Sequence, residues 1–121
     1  MRALAYMHEI TFTKYLEEFQ RDAREYGVGC YSTYSVYFDE ELAGDIAGYC
    51  VEGDRVVINK KMWQTLSNME KWVLMYHELG HCALRLNHTS PKETDNLSRP
   101  FWNDMKDRMF RAARQEQRNK Q

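Results

Sequence analysis

His77, Glu78 and His81 stand in the run His77-Glu78-Leu79-Gly80-His81, and their types and spacing suit metal-assisted hydrolysis. On a helix turning about 100° per residue, His77 and His81 lie only about 40° apart, so both imidazoles can converge on one zinc ion. Glu78 sits about 100° round from His77, where its carboxylate can reach a water on the ion without being a ligand itself. Zinc lowers the pKa of such a water to about 7, and Glu78 could accept its proton and pass it to a leaving amine. With 4 His and 11 Glu in 121 residues, the pattern would arise by chance in roughly one shuffled sequence in a hundred. It is specific, though not decisive alone.

A catalytic zinc needs a third protein ligand and an open position, and His88 is the best-placed candidate. Asn87 tolerates the left-handed conformation, so a helix stop there would swing His88 back toward the ion. Glu93 and Asp95 compete as oxygen ligands, and His8 is a distant outsider. The structural alternative keeps the pair in the core with Glu78 as an ordinary helix residue. The face formed by Leu74, His77, His81 and Leu84 would then hold two imidazoles in an apolar stripe with no partner for their nitrogens, a cost that metal binding removes. Cys82 points about 140° away from His77 and belongs to the core. Trp72 and Tyr76 share a face with Gly80, where the missing side chain lets a neighbouring element come close.

The elements that must hold this site are legible from pattern. Apolar residues at three- and four-residue intervals between Glu9 and Tyr26 predict an amphipathic first helix stopped by Gly27. Cys30 to Phe38 reads as a strand, Ile46 to Val51 as a second, and Arg55 to Asn59 as a third. The last two are joined by a tight turn at Glu52-Gly53-Asp54 into an antiparallel hairpin. Lys60 to Leu66 suggests a short helix. Ser67 and Glu70 form a capping box, so the second long helix starts near Asn68 and can run to about Leu86. His88 to Ser98 reads as loop, and Phe101, Trp102, Met105, Met109 and Phe110 mark a last helix, capped by Ser98 with Pro100 in its first turn. The end beyond Arg114, residues 115–121, is expected to fray. The fold expected is α+β: a small three-stranded antiparallel sheet packed on an N-terminal helix and the helix carrying the histidines, with a C-terminal helix, all in one domain over 1–121.

Hydrophobic residues at 43% and charged residues at 29% are an ordinary globular mix. A net charge of -1 gives the molecule no general attraction for nucleic acid or anionic lipid. The charge is uneven, about +4 from Arg99 onward and about -5 before it, so nucleic acid could be met only through the basic C-terminal helix. Cys30, Cys50 and Cys82 cannot all pair within one chain and include no C-x-x-C, which fits a reducing compartment. The opening residues show neither a secretion signal nor a membrane span, so a soluble, cytoplasmic protein is expected. Oligomeric state leaves no mark in the sequence.

The run Tyr76-His77-Glu78-Leu79-Gly80-His81-Cys82-Ala83-Leu84, followed by His88, resembles a family of small proteins classed as zinc metallopeptidases, many of them phage-encoded. Their motif reads HELGHC with a third His at similar distance. The resemblance extends through Ala47-Gly48-Tyr49-Cys50, Val57-Ile58-Asn59 and Trp63, covering roughly Ile46 to His88. It implies a minimal zincin fold, one zinc held by His77, His81 and His88, Glu78 as general base, and a peptide or protein substrate. The likeness to metzincins is partial. Their third His follows the second by six residues after a Gly turn, whereas here the gap is seven and Asn87 precedes it. Asn96-Leu97-Ser98-Arg99-Pro100 stands where a Met-containing turn would be, with Met105 as a substitute. A regulatory peptidase resembling the ImmA/IrrE type, with a later acidic third ligand, is the nearest enzyme alternative. A binding module with a structural zinc and a basic C-terminal helix is the non-enzyme one.

Overall fold

The computed structural model describes residues 5–87 and 99–120. Strand β1 (Met7–His8) leads through a 3-10 turn (Ile10–Phe12) into helix α1 (Thr13–Glu25). Strands β2 (Ser35–Asp39), β3 (Gly48–Val51) and β4 (Arg55–Asn59) follow, then helices α2 (Lys60–Trp63), α3 (Asn68–Cys82) and α4 (Arg99–Asn119). The architecture is α+β.

The sheet differs from the expected antiparallel three-stranded one. Among the described residues it has four strands in the order β1-β2-β4-β3 and is mixed. Only the β3–β4 hairpin is antiparallel, while β4 pairs parallel with β2, and β2 parallel with β1. The reason lies in the hairpin itself. The chain leaves β2, runs to the edge position as β3, and turns back at Gly53 (φ 75), where Asp54 N–H donates to Val51 O at 3.0 Å. That reversal inserts β4 beside β2 in the same direction. As an inner strand β4 buries four consecutive residues, Val56 to Asn59, which is the pattern of a strand covered on both faces.

Asn59 is the polar member of that run and is satisfied on three sides. Its Oδ1 accepts from Met62 N–H at 3.1 Å, capping α2, and its Nδ2 donates to Ala43 O and Ile46 O at 3.1 and 2.9 Å. One buried amide therefore fixes both the start of α2 and the approach to β3. Helix α3 begins as expected: Ser67 Oγ accepts from Glu70 N–H at 3.1 Å and Glu70 Oε1 accepts from Ser67 N–H at 2.7 Å.

The core between α1, α3 and α4 is aromatic. Phe19 meets Tyr76 edge-on at 4.9 Å and Phe110 at 5.1 Å, and Tyr76 meets Trp102 at 4.7 Å. Towards the sheet, Phe12, Tyr15, Phe38 and Trp63 form a second group of rings. Helix α4 continues past Arg114, where fraying was the expectation, because Gln117 accepts from Gly29 N–H at 3.0 Å and donates to Gly29 O at 2.8 Å. Among the described residues, no helix is long and apolar enough to cross a membrane.

Candidate metal centre

Helix α3 brings His77 and His81 together on one face, with their Nε2 atoms 3.3 Å apart. Two nitrogens each about 2.0–2.1 Å from a tetrahedral zinc would stand about 3.3–3.4 Å apart, so the pair already has the bite of a two-histidine chelate. His81 Nδ1 lies 2.7 Å from the Leu86 carbonyl oxygen. A carbonyl only accepts, so Nδ1 carries the proton and Nε2 is left with the lone pair that a cation requires. The donor set fits a divalent ion of the zinc type.

The Leu86 carbonyl is held by the way α3 ends. The helix stops at Cys82, short of the expected Leu86, and the left-handed residue is Arg85 (φ 60), not Asn87. The cause is tertiary: Tyr31 N–H donates to Ala83 O at 2.8 Å, taking an acceptor at the helix end. Leu86 N–H returns to Gly80 O at 2.9 Å, and the Arg85 guanidinium stacks over the Tyr31 ring at 4.4 Å and reaches Thr33 Oγ1 at 3.3 Å. These contacts hold an arginine in a conformation that usually favours glycine. No sequence signal points to the Leu86 oxygen.

Glu78 is buried at 5% exposure, between the sheet and α3. Burial pushes its carboxyl up to about 7, with no charged group among the described residues contributing. Gly48 of β3 lies beside it, and its missing side chain serves the close approach of β3 to β4. A Cβ at that position would come 2.9 Å from Val57 O, 3.0 Å from the Ile58 side chain and 3.7 Å from Glu78 Cγ. The edge strand thus lies directly against the carboxylate-bearing part of α3.

Two cavities meet at His77. One of 270 Å³ is bordered by Ala47, Glu70, Leu74 and Glu78, and one of 450 Å³ by His81, Leu86, Met105 and Met109. Met105, on α4, borders the same cavity as His77 and His81. Gly80 permits the close approach expected of it: a Cβ there would stand 2.8 Å from Met109 Sδ.

Other candidates fall elsewhere. His8 is in β1 with Nε2 3.0 Å from Thr13 Oγ1, and it lines neither cavity. His88, Glu93 and Asp95 lie outside the described residues. Among the described residues, no third His, Cys, Asp or Glu joins the pair. Cys82 is buried, as expected, but it is not a free thiol. It forms a disulfide with Cys50 of β3, across 32 residues, and this removes the cysteine argument for a reducing compartment. Cys30 stays unbridged. The bridge ties the residue after His81 to the edge strand that faces Glu78.

A family model described as "Putative phage metallopeptidase" matches residues 48–107, a span running from β3 through the histidine helix into α4. No curated protein and no solved structure matches the chain.

Proposed function

Residues 48–107 belong to the family described as "Putative phage metallopeptidase", and from that premise we propose that this chain is a zinc-dependent peptidase on a minimal zincin-like scaffold. His77, His81 and His88 are the proposed ligands and Glu78 the proposed general base. The observation that carries the reading is the 3.3 Å separation of the two imidazole Nε2 atoms, with one ring already oriented by a backbone carbonyl. A zinc ion held there would supply Lewis acidity toward the scissile carbonyl and toward the attacking water.

The chain's own residues account for the rest. Burial raises the proton affinity of Glu78 to near neutrality, which suits a group that takes a proton from water and returns it to the departing amine. Strand β3 is an edge strand, so an extended peptide can pair with its outer side and lie across His77. The disulfide keeps that strand against α3, fixing the distance between the peptide's track and the carboxylate.

The test is Glu78→Gln, assayed on a peptide library with metal content measured in parallel. The proposal expects zinc to be retained and cleavage to fall by about 100-fold or more. Hydrolysis at the wild-type rate would remove Glu78 from the mechanism. His88→Ala, read by zinc occupancy, tests the third ligand: full occupancy would transfer that role to a carboxylate downstream.

A further inference from the structure

We propose that the 450 Å³ cavity between α3 and α4 is a side-chain subsite that selects a bulky apolar residue next to the scissile bond, with Met105, Met109 and Ala112 setting the preference. This rests on the peptidase reading and names its substrate class. The cavity shares His77 and His81 with the candidate metal centre, so a side chain seated in it places its own backbone beside the imidazoles. At 450 Å³ it is within the usual range for a pocket that encloses an organic ligand, and larger than the 270 Å³ space beside Glu78.

Its chemistry favours apolar occupants. Two thioethers, Leu86, Ala112 and the bare backbone of Gly80 form much of the wall. Methionine side chains are flexible and polarisable, so they suit a class of apolar shapes rather than one. Gly80 sets the depth, because Met109 Sδ occupies the space that a β-carbon there would need. Arg108 also borders the cavity, but it is ion-paired with Asp104 at 2.9 Å, and Glu116 adds the opposite charge, so neither sign of charged side chain gains a clear reward. The 270 Å³ space, flanked by Glu70 and Glu78, has no such apolar wall of thioethers.

Ala112 is an exposed residue of α4, so enlarging it fills the cavity without disturbing the core. The experiment compares zinc-loaded wild type with Ala112→Trp on peptides that vary around one cleavable bond, and follows methionine methyl resonances in the metal-free protein as N-acetyl-phenylalanine amide is added. Wild type is expected to favour Phe, Leu or Met over Ala at one flanking position by about tenfold or more in kcat/KM, and Ala112→Trp to shrink that ratio by a similar factor. The Met105 and Met109 methyls should shift while that of Met75, fully buried elsewhere, does not. Cleavage without a flanking preference, a ratio unchanged in Ala112→Trp, or unresponsive Met105 and Met109 methyls would each overturn the subsite. Responsive methyls in a protein that cleaves nothing would instead overturn the peptidase reading, and the subsite's role with it, while leaving an apolar binding pocket.

Discussion

On the side of α3 that meets α1, Tyr76 is completely buried and its hydroxyl donates to Asp22 Oδ2 at 2.7 Å, while Lys106 of α4 comes within 3.6 Å of the same carboxylate. Burial and that carboxylate together hold the phenol in its neutral form. Two residues further on, Glu78 is buried on the other side of the helix, and burial alone shifts its carboxyl. Among the described residues, one helix thus carries a polar group matched by a hydrogen-bond partner and a carboxyl that borders a cavity without one. Matched burial stabilises the fold, whereas an unmatched carboxyl lowers stability and marks a place where proton transfer is useful.

The largest effect that sharpens this contrast belongs to the matched side. Tyr76→Ala removes a ring packed against Phe19 and Trp102 and takes one of two partners from Asp22, and it should cost about 3–5 kcal/mol in urea unfolding. A loss below about 1 kcal/mol would show that this side is not the stabilising one. Next comes the bridge that joins α3 to the edge strand. Replacing Cys50 and Cys82 together by Ala should cost about 2–4 kcal/mol, since the bond closes a loop spanning 32 residues. An unchanged midpoint for the double variant, against an oxidised wild type, would mean that the two elements are held by packing alone.

The unmatched side is read by pH. In the metal-free protein, Glu78 has a folded pKa of about 7 against an ordinary value of 4.5. The folded state therefore binds more protons across that window, and stability should fall as pH rises from about 4.5 to 7, by about 2–3 kcal/mol at most. Glu78→Gln should flatten that slope. A wild-type slope that persists in the variant would assign it to other groups. The smallest effect is at the helix end: Arg85→Ala should cost about 1 kcal/mol through the lost stack on Tyr31, and Asn87→Ala less than about 0.5 kcal/mol. Equal costs at the two positions would restore the left-handed stop to Asn87.

What could be read in advance was what local chemistry decides. The capping box at Ser67 and Glu70, the bounds of β4, the Gly53 turn and the helical convergence of His77 and His81 each depend on neighbours a few residues away. The family resemblance carried by the HELGHC run is likewise borne out by the match over 48–107. The features that escaped depend on contacts distant in sequence. Strand β1 is two residues long and has no periodicity to reveal it. The parallel pairing of β2 with β4 follows from which strand of the hairpin lies next to β2. Arg85 takes the left-handed turn because Tyr31 and Thr33 hold it, and Cys82 finds Cys50 because α3 lies on β3. That Met105 and Met109 border the same cavity as His77 and His81 needed the position of α4.

The most direct test of the central claim is a zinc titration of the metal-free protein by calorimetry, for wild type, His77→Ala and His81→Ala, each checked for folding by circular dichroism. One ion per chain should bind in the wild type, and that binding should be lost in both folded variants. Zinc binding of undiminished affinity in either variant would contradict it.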